Sequence, residues 1–275
     1  MKKAHPERHL WLLLLLVVSL GTGNATADIA PPQPIPIPAA QKPASAQEPP
    51  TAKALLAAMD SVLQYETRTS TSIMRVITKR RTREYKLITY GRGLDEAAIE
   101  YMSPVRDKGT KMLKKGDNMW LYMPQAERTQ KISGHMLRQG MMGSDISYED
   151  MMQTSDFDEM YEAKIDGDGT FAGRACWKLV ATARDETVSY PKRIIWIDKE
   201  NNMPLQQELY ALSGMLLKTW SMSDIRLIEG RPVAHRMELS DKLRTDSRTE
   251  IIVENVSFGV KLEEEVFTLR WLERK

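Results

Sequence analysis

Residues 108–124 read Lys-Gly-Thr-Lys-Met-Leu-Lys-Lys-Gly-Asp-Asn-Met-Trp-Leu-Tyr-Met-Pro. Two short segments of strand character flank the dipeptide Gly116-Asp117, which is typical of a hairpin turn. All five residues from Met119 to Met123 are apolar or aromatic, whereas a strand with one face in water alternates apolar and polar residues. We therefore expect both faces of this strand to be covered, one by a helix or the core and the other by a ligand. The run Ile194-Ile-Trp196-Ile197 repeats this two-sided pattern.

Segments of strand character continue outward in both directions and are separated by turn signals. From Val233 to Ser240, apolar residues and His alternate mainly with polar ones, which predicts an antiparallel strand with one buried face. No β-α-β rhythm and no repeat of fixed period is present. We therefore predict a mainly β fold with a few helices, built on a single curved antiparallel sheet. The other predicted strands lie near 68–79, 83–92, 96–102, 158–166, 173–184, 192–198, 204–211, 215–228 and 248–258.

Two helices are predicted beside the strands. Apolar residues recur at helical spacing over Ala52–Tyr65, with Thr51 as a plausible N-cap. Between residues 134 and 153 three glycines interrupt the strand pattern, and Ser147-Tyr-Glu-Asp150 resembles a capping box before a short helix at 148–153. This insertion is the expected position of a lid.

The N-terminal part of the chain has the three parts of a secretory signal. Basic residues precede the apolar run Leu10–Leu20, and Ala25-Thr26-Ala27 supplies small residues for a signal peptidase. The run is shorter than the roughly 20 apolar residues of a spanning helix. We predict a signal peptide at 1–27, cleaved after Ala27, and hence a periplasmic protein. An uncleaved anchor is the alternative.

Eight of the 14 prolines lie in residues 28–50, which predicts a disordered linker. One domain is then expected over 51–275. Cys176 is the only cysteine, so an intramolecular disulfide is excluded, and cleavage should release a protein without a lipid anchor. In its strand-like context, Cys176 is interpreted as a small buried hydrophobic residue.

Composition and motifs argue against nucleic-acid binding and catalysis. The formal net charge is only +2, and the basic run Lys79–Arg83 is interpreted as a solvated hairpin end, with an anionic membrane surface as the weaker alternative. After the signal only His135 and His235 remain, without zinc-site spacing, and His235 is expected to be a satisfied core residue. Asp166-Gly-Asp-Gly169 is interpreted as a hairpin turn. No catalytic residue, metal or cofactor is predicted, and the protein is not expected to be an enzyme.

Methionine is the unusual feature of the composition. Ten of the 17 Met residues lie between Met102 and Met160, and several of them fall in the expected lid. Met is unbranched and adaptable, so it suits surfaces that accept variable apolar shapes. Ordinary core filling is one interpretation of this concentration. A deformable apolar cavity under a mobile cover is the other, and the neighbouring glycines favour it.

Three stretches resemble the outer-membrane lipoprotein-sorting family, the LolA-like group. They are Pro104–Pro124, Arg128-Thr-Gln-Lys-Ile-Ser133 and Met142-Gly-Ser-Asp-Ile-Ser-Tyr-Glu-Asp150. The resemblance implies an unclosed antiparallel β-barrel, apolar inside, whose opening is covered by helices. LolA carries a lid-latching arginine just before the proline that matches Pro104, but Ser103 stands there in this chain. Arg106 is the candidate substitute.

The resemblance implies a periplasmic carrier that takes lipoprotein acyl chains or another lipid from an inner-membrane exporter, of the resistance-nodulation-division or ABC type, toward the outer membrane. A lipid or lipoprotein sensor, or an adaptor of a membrane complex, is the alternative. We expect the acyl chain to contact apolar residues of the strands and of the lid. The candidate ligand-binding residues are Met112, Trp120, Tyr122 and Trp196 in the cavity, and Met136, Met141 and Met142 on the lid.

Overall fold

A computed structural model of the 275-residue chain describes residues 49–153 and 157–274. The predicted signal segment and most of the Pro-rich segment lie outside the described residues. Within the described residues, all strands belong to one antiparallel sheet of 13 strands. The first six are β1 (Thr67–Thr78), β2 (Thr82–Arg92), β3 (Glu96–Ser103), β4 (Lys111–Lys115), β5 (Asn118–Met123) and β6 (Arg128–Ile132).

The second set of strands follows after a connection of 28 residues, 133–160. Its members also pair with sequence neighbours, so each half of the chain is a meander of hairpins. These strands are β7 (Tyr161–Phe171), β8 (Arg174–Ala183), β9 (Lys192–Asp198), β10 (Pro204–Tyr210), β11 (Leu216–Ile228), β12 (Arg231–Asp241) and β13 (Ser247–Phe258).

The two meanders join in the middle of the sheet, where β1 pairs with β13 from Arg68↔Phe258 to Thr78↔Ser247. The strand order is therefore β6 to β1, then β13 to β7, and β6 and β7 are the two unpaired edges. The predicted single, unclosed antiparallel sheet is confirmed. The sequence does not foretell the central pairing of the first and last strands, because local periodicity gives the face of a strand but not a distant partner.

Two details of the sequence interpretation are wrong. Asp166–Gly169 does not form a hairpin turn but lies inside β7, at a register irregularity between Ile165 and Asp168. The turn falls later, at Ala172-Gly173, where both residues have positive φ. Strand β6 is absent from the predicted strands, because its sequence Arg-Thr-Gln-Lys-Ile contains one buried residue, Ile132.

The helices begin where capping residues precede them. Helix α1 (Ala52–Leu63) is capped by Thr51, whose side chain accepts a hydrogen bond from the Ala54 amide. Helix α2 (Tyr148–Met152) has the complete capping box between Ser147 and Asp150. Both predicted helices are confirmed. Helix α4 (Leu269–Glu273) is not predicted because it is too short for a periodic signal. Helix α3 (Phe157–Met160) takes the place of the start of the strand predicted near 158–166, which begins only at Tyr161. In the described ranges no helix is long and apolar enough to cross a membrane.

The C-terminal segment explains why strand β5 is apolar on both sides. On the outer side of β5, Trp120 and Tyr122 pack against a cluster that includes Phe267 and Trp271 of the C-terminal segment. The Lys111 ammonium fixes α4 there by donating to the Trp271 carbonyl at 3.1 Å and to the Arg274 carbonyl at 2.7 Å. A cation at a helix C-terminus is favourable because the free carbonyls carry partial negative charge. The other side of β5 faces the lid, and we call that side of the sheet its inner face.

Candidate functional site

The lid consists of residues 133–153 and packs on the inner face of strands β1 to β6. It contains two 3₁₀ turns, Gly134–Arg138 and Met141–Gly143, followed by α2. Its apolar side chains join one cluster with residues of the strands. The buried members from the strands include Met74, Tyr85, Tyr101, Met112, Met119 and Leu121. The lid contributes Met136, Leu137, Met141, Met142, Ile146, Tyr148, Met151 and Met152 to its own packing and to this cluster.

Four of the predicted binding residues meet in this cluster. Met112 on β4 and Met141 in the lid are both 2 % exposed, and Met136 and Met142 pack against the same group. The methionines of the sheet and those of the lid therefore pack in one apolar cluster. Met side chains are unbranched and adapt their shape, so this cluster can accommodate more than one packing arrangement.

The other three predicted binding residues lie elsewhere, which corrects the expectation that they line the same concavity. Trp120 and Tyr122 point to the outer side of the sheet, under the C-terminal segment. Trp196 is half-buried and belongs to a group with Cys176 and Met203, while its neighbours on β9 face α1. The prediction of two covered faces holds for β5, whereas Ile194 and Trp196 on the second face of β9 are only partly buried. The sequence could not show which face meets the lid, because both are equally apolar.

Polar contacts hold the lid to the second half of the sheet, and we call them the latch. Asp145 in the lid is 2 % exposed. Its amide donates to Thr249 Oγ1 at 2.8 Å, and its Oδ2 accepts from the hydroxyls of Thr249 at 2.8 Å and Ser247 at 3.0 Å. The Arg244 guanidinium lies 3.7 Å from the other carboxylate oxygen. Burial of a carboxylate is costly unless it is paired and hydrogen-bonded, so these contacts stabilise the closed lid.

A second part of the latch surrounds Asp150, whose side chain is 3 % exposed. Lys218 on β11 forms an ion pair with Asp150 Oδ2 and also donates to Ser147 Oγ at 3.2 Å. The Tyr190 hydroxyl donates to Asp150 Oδ1 at 2.6 Å. Burial, reinforced by the neighbouring Asp150 carboxylate, raises the pKa of Tyr190 well above its usual value, so that the phenol remains a donor.

The latch differs from the arrangement that the family resemblance implied. The Ser103 hydroxyl makes no hydrogen bond to the lid among the described residues; its Oγ accepts from the Lys86 amide at 3.1 Å. Arg106 is exposed, and within residues 49–153 and 157–274 its guanidinium makes no hydrogen bond or ion pair to the lid. Arg244 does so, since it donates to the carbonyls of Gly143 and Ser144. The arginine of the latch therefore comes from the β12–β13 turn, and Arg106 does not replace it.

Glycine is required at two positions of the lid. A Cβ on Gly140 would lie 2.1 Å from the Ser144 carbonyl oxygen, so no other residue fits this turn. Gly143 has φ +72°, and a Cβ there would lie 2.7 Å from the Arg83 guanidinium. These residues let the lid chain fold back on itself between its apolar contacts and the latch.

A cavity of about 180 Å³ remains beneath α2, between the lid, α1 and strands β9 to β11. Its apolar lining comes from Leu63, Phe157, Leu209, Trp220 and Met222. Arg193 forms its polar side and is 3 % exposed. The Arg193 guanidinium donates to Gln207 Oε1 at 3.0 Å and lies 4.9 Å from the centre of the Phe157 ring.

Two hydrogen-bond donors that line this cavity lack partners. Trp220 Nε1 and Gln153 Nε2 are buried and have none among the described residues. An unsatisfied buried donor costs about 1–3 kcal/mol, so an acceptor that enters the cavity gains that amount. Sequence reasoning missed Trp220 and Lys218. The available signal was their spacing, since Lys218, Trp220 and Met222 are two residues apart in one predicted strand and therefore share a face.

The other candidate residues have structural surroundings. Cys176 is fully buried, and burial raises the pKa of its thiol, as expected for a small apolar core residue. His235 is buried and its Nδ1 lies 2.9 Å from the Val253 carbonyl, but its Nε2 has no partner in the part of the chain described. Only one of the two ring nitrogens of His235 therefore has a hydrogen-bond partner among these residues, whereas the sequence interpretation expected both to be satisfied. The described residues contain no group of His, Cys, Asp or Glu that could hold a metal ion.

The fold is shared with three solved structures at 21–24 % sequence identity. A DUF1329 family protein from Desulfovibrio piger has a TM-score of 0.74 at 23 % identity, over 80 % of this chain and 97 % of that one. A putative outer membrane lipoprotein-sorting protein domain from Vibrio parahaemolyticus has a TM-score of 0.69 at 24 % identity, over 80 % of this chain and 98 % of that one. A LolA superfamily protein from Nitrosomonas europaea has a TM-score of 0.66 at 21 % identity, over 81 % of this chain and 100 % of that one. The fold is therefore LolA-like, as the sequence motifs indicated.

The family assignment follows from a match over most of the sheet. A protein-family model described as an uncharacterised protein matches residues 93–274, and the chain belongs to that family. Among curated proteins, none matches this chain.

Proposed function

We propose that this protein is a non-enzymatic periplasmic carrier that binds lipoprotein acyl chains, or another lipid, on the inner face of its sheet. The observation that carries this proposal is the packing of two sets of methionines, one on strands β1 to β6 and one on the lid, in a single cluster. Because the lid covers the apolar face with adaptable Met side chains, an apolar ligand can displace them and pack on the same face. The LolA-like fold and the lipoprotein-sorting neighbour support the same proposal.

Binding requires the lid to move. The cavity beneath α2 is only slightly larger than the roughly 150 Å³ of an engineered cavity that holds benzene, so an entire acyl chain does not fit. Displacement of the lid methionines would expose Met112 and its neighbours on the sheet. Each methylene removed from water gains about 0.8 kcal/mol, which offsets the cost of displacing the lid. The lid methionines Met136, Met141 and Met142 then cover the chain from above.

The polar side of the cavity beneath α2 fits the carbonyl end of an acyl chain. Trp220 Nε1 and Gln153 Nε2 can donate to an ester, amide or carboxyl oxygen, and the Arg193 guanidinium adds positive charge. An acyl group attached through an ester or amide presents such an oxygen at the end of its chain. We infer that the acyl carbonyl is held here and that the hydrocarbon extends toward the methionines.

Transport supplies the context of the proposal. The predicted signal peptide, cleaved after Ala27, would deliver the protein to the periplasm. There it would receive its cargo from an inner-membrane exporter, of the resistance-nodulation-division or ABC type, and carry it toward the outer membrane. A latch of hydrogen bonds and ion pairs suits this cycle, because water and neighbouring groups can replace its partners when the lid opens.

Gentle purification followed by organic extraction tests the proposal. We expect mass spectrometry to find a lipid or acyl species bound at no more than one per chain, and a fluorescent acyl probe to bind the delipidated protein. Absence of both would overturn the proposal. A stable complex with one membrane protein, unchanged by lipid, would instead support the sensor or adaptor alternative.

Quenching of tryptophan fluorescence by a brominated fatty acid tests the location of the ligand. Trp220 lines the cavity, whereas Trp120 lies on the outer side of the sheet. We expect Trp220→Phe to lose the largest share of the quenching and the matched variant Trp120→Phe to keep it. The opposite result would place the ligand under the C-terminal segment.

A further inference from the structure

Four neighbouring loops in the middle of one end of the sheet carry a concentration of positive charge. They are 79–81, 104–110, 211–215 and 242–246, and together we call them the rim. These loops contain seven Lys and Arg side chains and two Asp, a net of +5, whereas the whole chain has a formal charge of +2. The basic residues are Lys79, Arg80, Arg81, Arg106, Lys108, Lys242 and Arg244.

The four loops lie side by side. They connect β1 to β2, β3 to β4, β10 to β11 and β12 to β13, which are turns at the same end of an antiparallel sheet. Thr78 pairs with Ser247, so the first and last of these loops are neighbours. The Lys242 amide donates to the carbonyl of Leu217, the second residue of β11, at 2.7 Å, so 242–246 lies beside the strand that follows 211–215. Arg81 and Arg106 line one groove, so the loops 79–81 and 104–110 are also neighbours.

Apolar side chains stand exposed among these charges. Val105 and Leu212 are each 90 % exposed, and Leu243 and Met215 are 65 % and 51 % exposed. Four of the seven large hydrophobic residues that are exposed in the described ranges thus occupy the tips of rim loops. None of them contributes to the inner-face cluster, so lipid carriage inside the fold does not account for them.

The rim also adjoins the lid. Leu243 and Arg244 line a cavity of about 490 Å³ together with Gly143 and Asp145 of the lid. The groove that contains Arg81 and Arg106 includes Met142 and Gly143. The charged and apolar tips therefore surround the end at which the lid meets the sheet.

We propose that the rim docks the protein on an anionic phospholipid bilayer. Basic side chains beside an anionic lipid surface attract it, and exposed Val, Leu and Met tips can enter the interfacial region. The charge of the rim is complementary to such a surface. Docking would hold the lid end of the sheet against the bilayer. This inference assigns a role to the basic run Lys79–Arg83 and does not depend on the identity of the cargo.

Co-sedimentation with vesicles tests the proposal in the full chain. We expect binding to vesicles of phosphatidylethanolamine and phosphatidylglycerol, loss of binding at high salt, and little binding to phosphatidylcholine alone. The double variant Arg80→Gln/Arg81→Gln should weaken vesicle binding roughly 30-fold, since each basic residue near the surface contributes about fivefold. Lys261→Gln/Arg270→Gln, which removes equal charge outside the rim, should change it little.

The apolar tips have their own matched control. Leu212→Ser should weaken vesicle binding, whereas Leu227→Ser, at a residue 72 % exposed near the other end of β11, should not. The proposal is overturned if anionic vesicles do not bind, or if rim and control variants weaken binding equally. Because acyl-probe binding is measured without vesicles, failure of docking and failure of lipid carriage are distinguishable.

Discussion

Oxidation of an Asp145→Cys/Thr249→Cys variant is expected to slow acyl-probe uptake by roughly 100-fold or more relative to the same protein when reduced. The Asp145 amide lies 2.8 Å from Thr249 Oγ1, so the lid and strand β13 approach closely enough for a disulfide to be attempted. A bridge there ties the lid to the sheet covalently. If uptake requires the lid to leave the inner face, the bridged protein cannot bind the chain. Stopped-flow fluorescence with the acyl probe measures the rates.

The design contains its own control, because the reduced and oxidised forms share one sequence. The variant is made in a Cys176→Ala background so that the new pair has no competing thiol. The single variant Asp145→Cys, treated with the same oxidant, should keep its uptake rate. Equal uptake by the bridged and reduced proteins would show that the lid is a fixed part of the core and would contradict the gating step of the proposed function.

The sequence predicted local structure better than long-range pairing. Helix α1 and the capping box of α2 were predictable, because their signals lie within a few residues of each helix start. The open antiparallel sheet followed from the alternation and turn signals. The pairing of β1 with β13 could not be predicted, because it joins residues about 180 positions apart and leaves no local pattern.

The candidate site was predictable only in part, for a physical reason. The methionine concentration located the cluster that Met112 shares with the lid, since its density is visible without knowledge of partners. For Trp120 and Trp196, two apolar faces are visible in the sequence, and nothing in the local pattern distinguishes them. The latch residues Lys218, Arg244 and Thr249 belong to distant strands and turns, so their relation to Asp145 and Asp150 emerges only in the folded chain.

Substitution of Lys218 by Met is expected to produce a large effect on the lid. It removes the cation from a buried ion pair and leaves the Asp150 carboxylate with hydrogen-bond donors but no opposite charge. Breaking one partner of a buried pair costs about 3–5 kcal/mol. Because Asp150 belongs to the lid, opening exposes the carboxylate to water and relieves this cost. The penalty therefore falls mainly on the closed lid.

Two measurements follow from the same substitution. The urea midpoint of Lys218→Met should fall, and its apparent affinity for the acyl probe should rise by up to about 100-fold, since a larger fraction of the protein has an open lid. Lys178→Met is the matched control: Lys178 pairs with Asp166 at 2.7 Å, but both side chains reach solvent, so neither quantity should change appreciably.

A second substitution separates charge from packing. Asp150→Asn in the Lys218→Met protein removes the unpaired carboxylate and keeps an acceptor for the Tyr190 hydroxyl, so stability should partly recover and probe affinity should return toward that of the original protein. If Lys218→Met instead weakens probe binding along with stability, Lys218 supports the fold without controlling the lid. A rise in affinity that Asp150→Asn reverses would assign the buried pair to the closed state, because only an interaction that breaks when the lid opens can shift stability and affinity in opposite directions.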